Sequence, residues 1–205
     1  MYKKFIKRMI DLIMSFLGAI VLLPVFIVVG ALIYIDDPGP VFFKQKRVGK
    51  NKKLFWLHKF RSMKMNTPDI PTHLLSNPEQ YITKVGHIIR TLSIDELPQI
   101  YDILFGKMSI VGPRPALWNQ DDLIAERDKY GANDIKPGLT GLAQVSGRDE
   151  LPIAVKAKLD GEYANNISIV FDTKIFFKTI ISVLKHEGVV EGEANSEKKE
   201  KEKVG

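Results

Sequence analysis

A run of 24 residues without a charged side chain, from Leu12 to Ile35, constrains this chain more than any other feature. At ~1.5 Å per residue, a straight helix of this length reaches roughly 36 Å, enough to cross a hydrocarbon core of ~30 Å. The run is too long for a secretory signal peptide, and no small-residue cleavage site closes it. The sequence therefore predicts a membrane helix near the N-terminus.

The residues around and within this run bear on the path of the helix. Basic residues flank it on both sides: Lys3, Lys4, Lys7 and Arg8 before it, and Lys44, Lys46, Arg47, Lys50, Lys52 and Lys53 after it. Basic flanks prefer the cytoplasmic side of a membrane, so both ends favour the same side. Pro24, in the middle, removes a helical hydrogen bond and bends the axis. These facts favour a re-entrant helix that turns near Pro24, but a kinked spanning helix stays open because such helices are common.

The charge of the chain is unevenly distributed. The net charge is +6, but residues 1–64 hold 13 Lys and Arg against 3 Asp and Glu, which gives +10, and the remainder carries −4. Because the basic part also contains the apolar run, the expected partner is an anionic phospholipid membrane. No nucleic-acid-binding pattern accompanies the charge, so no nucleic acid is expected.

The absence of cysteine excludes a disulfide framework and a thiolate metal site. The four histidines are scattered and form no H-E-x-x-H pattern. Any metal ion is therefore expected to have oxygen ligands, which indicates Mg²⁺ or Mn²⁺.

Two adjacent carboxylates, Asp95 and Glu96, stand behind Arg90 and ahead of Pro98. A second arginine, Arg114, follows within Gly112-Pro113-Arg114-Pro115, between stiff residues. Acids flanked by fixed cations suit the handling of an anionic group, since a carboxylate can attack phosphorus or hold a metal ion and arginine can fork onto phosphate.

The same acids also fit a helix start. Ser93-Ile94-Asp95-Glu96 matches the S-x-x-E capping box, in which acids favour the first helical turn. Pro98 would then occupy the fifth helical position, where a backbone N–H is normally needed. The sequence therefore predicts either an irregular turn here or a helix that starts later.

The remaining pattern indicates an α+β fold that is mainly helical. Val41–Val48 and Leu54–Phe60 predict the strands of a short hairpin, and Pro137–Gly141 predicts a tight turn. Trp118–Tyr130 is typical of a charged helix. Asp172–His186 has apolar residues at helical spacing and predicts an amphipathic helix, which could lie in the membrane interface or pack on the core.

Several motifs occur in a fixed order along most of the chain. They are Lys7-Arg8-x-x-Asp11, Pro38-Gly39-Pro40-Val41-Phe42-Phe43, Lys59-Phe60-Arg61-Ser62-Met63, Gly86-x-x-x-Arg90, Ser93-x-Asp95-Glu96-Leu97-Pro98-Gln99, Gly112-Pro113-Arg114-Pro115, and Pro137-Gly138-Leu139-Thr140-Gly141 running on to Gly147-Arg148. From about residue 2 to residue 188 the chain resembles the bacterial monotopic phosphoglycosyl transferases, in their small form of little more than the catalytic domain.

The resemblance implies a reaction. Sugar-1-phosphate passes from a UDP-sugar donor to polyprenol phosphate, such as undecaprenyl phosphate, with release of UMP and with Mg²⁺ as cofactor. This step initiates glycoconjugate or polysaccharide biosynthesis. Family members form a covalent phosphosugar on the Asp of the Asp-Glu pair, which is Asp95 here. The resemblance thus implies that Asp95 is the nucleophile and a metal ligand, with Glu96 in support.

The resemblance also implies substrate-binding residues: Lys59, Arg90, Gln99, Pro113, Arg114 and Arg148. It implies a re-entrant helix over residues 1–36, broken near Pro24, a cytoplasmic catalytic domain over residues 37–188 and amphipathic interfacial helices. The protein would be monotopic, on the cytoplasmic face of the bacterial inner membrane. Residues 189–205, rich in Glu and Lys, predict a disordered tail.

Three positions depart from the family pattern. Asp102 stands where Asn is common, Lys107 where an acid is common, and Leu23 where a Ser often precedes the proline. The first two change the charge near the site, and the third removes a hydroxyl that could bond a freed carbonyl.

The alternative function is a membrane-anchored nucleotide-sugar binding protein without turnover. An intact Asp-Glu pair counts against it, because a binding protein has no need of a nucleophile. Release of UMP from a UDP-sugar in the presence of polyprenol phosphate distinguishes the two.

Overall fold

Helices form most of the structure, a computed structural model that describes residues 1–68, 77–147 and 151–184. The α-helices are α1 (Lys7–Asp36), α2 (Lys84–Thr91), α3 (Gln99–Leu104), α4 (Asp121–Asp128), α5 (Ile153–Asn165) and α6 (Ile169–Leu184). The strands are β1 (Phe42–Val48), β2 (Leu54–Phe60), β3 (Ser109–Val111) and β4 (Gly138–Thr140). The predicted α+β, mainly helical class is confirmed.

Helix α1 is the predicted apolar helix, and it lies against the rest of the protein with one face. Phe26, Val29 and Ile33 on that face pack with Phe60 of β2 and Ile89 of α2 in the largest apolar core. The opposite face exposes large apolar side chains along its whole length, among them Ile13, Leu17, Ile20, Val21, Ile27 and Val28. Of the described helices, α1 alone is long and apolar enough to cross a membrane.

The backbone of α1 stays helical through Pro24. The helix is therefore not interrupted at this proline, in contrast to the break implied by the resemblance. The ring removes one hydrogen bond without ending the helix, because the flanking turns keep their own bonds. The re-entrant path through a membrane stays a prediction.

The predicted hairpin is confirmed to within one residue. Strands β1 and β2 pair antiparallel, from Phe42 opposite Phe60 to Val48 opposite Leu54. Aromatic residues favour these strands, and a short 3-10 turn at Lys50–Lys52 joins them. Asn51 adopts left-handed backbone angles in this turn, which asparagine tolerates better than most residues.

The motif that begins at Pro137 was predicted as a tight turn, and that prediction was wrong. Gly138–Thr140 is β4, which pairs parallel with β3. The strands approach so closely that a Cβ on Gly138 would lie 2.1 Å from the Gly112 nitrogen. Glycine is therefore required by packing at this position, and its presence does not mark a turn.

Other predicted bounds shift. The charged helix shortens to α4, and the apolar helix begins earlier, at Ile169. Helices α2 and α5 had no counterpart in the sequence predictions. The predicted tail over residues 189–205 lies outside the described residues, and so do His186 and Arg148.

Candidate active site

An irregular turn carries the two acids. Residues Ile94–Glu96 form a single 3-10 turn, and α3 begins only at Gln99, with Pro98 as its N-cap. Ser93 has φ +55°, in the left-handed region, and its side chain makes no capping hydrogen bond. The capping-box interpretation was therefore wrong, and the predicted irregular turn is confirmed. A non-glycine residue with left-handed angles is often found where function requires an unusual backbone.

Glu96 is held by two cations. Arg114 donates to both of its carboxylate oxygens, at 2.7 Å to Oε1 and 3.2 Å to Oε2. Lys59 Nζ donates to Oε1 at 2.8 Å. A forked arginine contact fixes a carboxylate in orientation as well as position. Glu96 is thus a fixed anion that holds two cations beside its neighbour.

Asp95 is buried, but it is less tightly held than Glu96. Its nearest described cation is Lys59, whose Nζ lies 3.5 Å from Oδ2. Both acidic side chains keep 12% of their surface exposed, so the difference between them lies in the bonds that they accept. One lysine therefore bridges both acids, and Asp95 is the acid whose oxygens keep capacity for a ligand.

The environment moves the pKa values of the two acids in opposite directions. Burial raises the pKa of Asp95, and although Lys59, Arg90 and Arg114 oppose this, the Glu96 charge adds to the rise. Burial also acts to raise the pKa of Glu96, but Arg114 and Lys59 outweigh it and hold that pKa well below its usual value. Neighbouring acids with divergent pKa values are typical of catalytic pairs.

Different elements bring these side chains together. Lys59 stands near the end of β2, and Arg90 occupies the last turn of α2. Arg114 follows β3 across Gly112 and Pro113, which leave the backbone little freedom: a Cβ on Gly112 would lie 2.6 Å from the Lys136 carbonyl oxygen. Segments distant in sequence therefore converge on one turn.

A pocket of about 220 Å³ has Arg114, the partner of Glu96, in its wall. Further cations from three other elements line it, namely Arg47, Arg127 and Lys156, together with Gln144 and Leu123. Asp160 accepts bonds from Arg127 Nε and Nη2 at 2.8 and 2.6 Å, which fixes that guanidinium. A cationic pocket with a partly apolar wall suits an anionic, partly planar ligand.

The other predicted substrate residues are either buried or outside the described part of the chain. Gln99 is 2% exposed in the first turn of α3, and Pro113 is buried with its carbonyl accepting from Gly138. Their contact with substrate stays a prediction, as does that of Arg148, which lies outside the described residues. Arg127, Lys156 and Gln144 line the pocket but were not predicted, because nothing in their local pattern distinguishes them from surface residues.

Asp102, which stands where the family commonly has Asn, contacts His58, the residue before Lys59. Asp102 is fully buried and accepts from the His58 backbone N–H and contacts His58 Nδ1, both at 2.9 Å. Lys107 Nζ lies 3.9 Å from the same carboxylate. The unusual residues at 102 and 107 thus face each other, and the acid ties α3 to the strand that carries Lys59.

The described residues contain no cluster of three side chains of the kinds that cage a metal ion. The carboxylates of Asp95 and Glu96 still fit Mg²⁺, which commonly binds one or two carboxylates and takes its remaining ligands from phosphates and water. Asp95 is the suitable carboxylate, since both oxygens of Glu96 already accept bonds from Arg114.

Comparison with known proteins identifies the family of the chain. The model of the bacterial sugar transferase family matches residues 2–186. The chain belongs to this family. It is therefore a transferase, and the sequence resemblance is confirmed at the level of the family.

Individual sugar transferases are similar over most of the chain. The exopolysaccharide production protein ExoY of Sinorhizobium fredii is 36% identical over 192 residues, 86% of this chain and 84% of the relative. The uncharacterized sugar transferase EpsL of Bacillus subtilis is 42% identical over 159 residues, 78% and 77% of the two chains. The undecaprenyl-phosphate galactose phosphotransferase of Salmonella typhimurium is 36% identical over 200 residues, 90% of this chain but 42% of that longer protein.

Proposed function

We propose that this sugar transferase moves sugar-1-phosphate from a UDP-sugar to a polyprenol phosphate and releases UMP. The observation that carries the proposal is the Asp95–Glu96 pair, braced by Lys59 and by Arg114, which also lines a cationic pocket. The names of relatives support it, since they include an undecaprenyl-phosphate galactose phosphotransferase and a UDP-galactose-lipid carrier transferase.

The first chemical step uses Asp95 as the nucleophile. One of its carboxylate oxygens attacks the sugar-bearing phosphorus of the donor, forming an acyl phosphate. The bond from that phosphorus to the bridging oxygen breaks, and its electron pair leaves with UMP. Lys59 lies 3.5 Å from Asp95 and 2.8 Å from Glu96, so its ammonium is available to the developing charge on the phosphoryl oxygens.

The second step regenerates the carboxylate. An oxygen of the polyprenol phosphate attacks the same phosphorus, and the bond to Asp95 breaks to give a polyprenol diphosphate sugar. Two displacements let a water-soluble donor and a lipid acceptor use one site in turn. Glu96 holds Arg114 and Lys59 in place throughout, because it stays ionised.

Mg²⁺ is the proposed cofactor, with Asp95 as its protein ligand. When bound, it supplies positive charge that neutralises the diphosphate and its leaving group. The metal ion would add to the charge of Lys59 and Arg114, which Glu96 offsets in part because it is paired with both.

The pocket beside Arg114 suits the nucleotide part of the donor. Arg47 and Lys156 bring positive charge to the pocket walls for a phosphate, and Leu123 and Ala143 offer apolar contact to a planar base. The pocket volume of about 220 Å³ is comparable to part of a nucleotide, so the sugar and its phosphate would extend toward Asp95.

The contacts of α1 support a monotopic arrangement on the cytoplasmic face of the inner membrane. At its N-terminal end, Arg8 donates to the Ile103 and Leu104 carbonyls. At its C-terminal end, Asp37 pairs with Arg61 at 3.1 Å. A straight spanning helix would carry one end to the far side of the bilayer, whereas both ends of α1 contact the same folded domain.

A lipid-facing surface continues beyond α1. Helix α6 buries Ile175 but exposes Val170, Phe177, Ile180 and Ile181. Its inner face therefore packs on the core while its outer face stays apolar, which supports the proposal that the outer face lies in the membrane interface. Apolar side chains on both helices are the surface that an anionic phospholipid membrane would cover.

UMP release tests the proposed reaction. We expect the full chain in lipid nanodiscs to release UMP from at least one UDP-sugar when undecaprenyl phosphate and Mg²⁺ are present. Omission of the acceptor should stop continued turnover, and EDTA should stop release until Mg²⁺ is restored. Donor binding without UMP release across a UDP-sugar panel would support the nucleotide-sugar binding protein instead.

Labelling of single cysteines tests the topology, since the natural chain has none to interfere. Lys3→Cys lies before α1, and Asn119→Cys is an exposed control in the catalytic part. In sealed, right-side-out membranes we expect neither position to react with an impermeant maleimide, and both to react after permeabilisation. Labelling of position 3 alone from outside would require α1 to span the membrane.

A further inference from the structure

The motif Lys7-Arg8-x-x-Asp11 has no role in the chemistry derived above. Its cations were interpreted from sequence as membrane-facing charges. The structure instead turns all three side chains toward the protein: Lys7 pairs with Asp172, Arg8 bonds to carbonyls at the end of α3, and Asp11 is buried.

Asp11 binds the strand that leads to the active site. It is 3% exposed, and its two oxygens accept from the Ser109 hydroxyl at 2.8 Å and the Ile110 backbone N–H at 3.0 Å. Both donors belong to β3. A buried carboxylate with a donor on each oxygen fixes the strand, because moving either partner would leave a charge unsatisfied.

The last residue of β3 is tied to the same helix by a second route. The Tyr163 hydroxyl lies 3.0 Å from the Val111 carbonyl oxygen and 2.6 Å from Asp172 Oδ1. Asp172 Oδ2 accepts from Lys7 Nζ at 2.7 Å and from the Tyr2 hydroxyl at 2.6 Å. All of β3 is therefore held against the N-terminal part of α1.

Arg114 stands three residues beyond β3, and the connection is stiff. Gly112 directly follows β3 and is confined against β4, with its N–H donating to the Thr140 carbonyl at 2.8 Å. Pro113 fixes its own φ. A displacement of β3 would therefore move Arg114 by a similar amount. Arg114 in turn contacts Glu96 at 2.7 Å.

We propose that Asp11 is a positioning residue for Arg114, so that the membrane helix forms part of the catalytic machinery as well as an anchor. This inference rests on the proposed transferase function. It assigns Asp11 no contact with substrate, and it predicts that its effect on rate passes through Arg114.

A double-mutant cycle tests the proposal by single-turnover UMP release, which tolerates slow variants. Asp11→Asn keeps the shape of the side chain but offers an amide N–H₂ where an acceptor is needed. We expect it to slow UMP release about tenfold in the wild-type background and less than about twofold when combined with Arg114→Lys, since linked residues are non-additive. Ser15→Ala is the matched control. Ser15 is also buried on α1 but bonds only within that helix, so its loss should leave the rate unchanged.

A milder second variant separates positioning from general damage to the fold. Ser109→Ala removes only one of the two donors to Asp11, and it serves as the second variant if Asp11→Asn does not fold. We expect it to slow release about threefold and to show the same dependence on Arg114. Equal slowing by Asp11→Asn in both backgrounds, or wild-type rates for Asp11→Asn and Ser109→Ala, would overturn the proposal. A wild-type chain that releases no UMP would instead overturn the proposed function, and the positioning role with it.

Discussion

Asp95→Asn is expected to reduce turnover to near background, on the order of 10⁴-fold or more, because removing a covalent nucleophile abolishes the catalysed path. The substitution preserves the size of the side chain but removes the negative charge that attacks phosphorus. Because Lys59 and Arg114 remain paired with Glu96, the surrounding structure should hold. The measurement is UMP release by the full chain in nanodiscs, with Asp134→Asn as an exposed control. Full activity of Asp95→Asn would remove the catalytic assignment.

The same residue should carry a detectable intermediate. Wild-type protein given a UDP-sugar and Mg²⁺, without acceptor, should gain the mass of one sugar phosphate on the peptide that contains Asp95. Labelled UMP should also exchange into the UDP-sugar under these conditions, since the first step is reversible. Direct attack by the lipid phosphate is the mechanistic alternative, and it predicts neither adduct nor exchange in a protein that turns over with acceptor.

The sequence predicted best what depends on local pattern. The two short strands of the hairpin and the apolar run of α1 are properties of contiguous residues, so both were found near their observed bounds. The convergence of Asp95, Glu96, Lys59 and Arg114 came from the family resemblance, because no local rule brings side chains from separate elements to one turn.

The predictions that were wrong concern features set by contacts between distant parts of the chain. Strands β3 and β4 are three residues each, and their pairing joins residues 29 apart in sequence, from Ser109 opposite Gly138 to Val111 opposite Thr140. The local pattern of β4 alone therefore resembled a glycine turn. The Ser93 capping box failed because Ser93 has left-handed angles and its side chain caps nothing, and the helix starts only at Gln99, after Pro98. The charge count could not show that Lys7 and Arg8 are bonded inside the protein, since it contains no information about buried partners.

The other large effect is expected from Glu96→Gln, which should slow turnover by about 10²- to 10³-fold, within the range found for loss of one preorganised electrostatic group. Arg114 and Lys59 are both donors, and the amide of a glutamine would turn a third donor toward one of them. Glu96 is ionised in the folded protein because its pKa lies well below its usual value, so the substitution removes a full charge from between two cations.

Formation of the phosphosugar adduct distinguishes the supporting role of Glu96 from the nucleophilic role of Asp95. Because Asp95 is intact in Glu96→Gln, the phosphosugar adduct should still form, more slowly, whereas Asp95→Asn should form none. The matched control is Glu126→Gln, which removes a surface acid paired with Lys129 at 2.5 Å and should leave the rate unchanged. A wild-type rate for Glu96→Gln would mean that Lys59 and Arg114 reach the donor phosphates without Glu96 between them. Complete loss of the adduct with normal thermal unfolding would instead give Glu96 a share of the first chemical step, since a mere brace slows attack by Asp95 without preventing it.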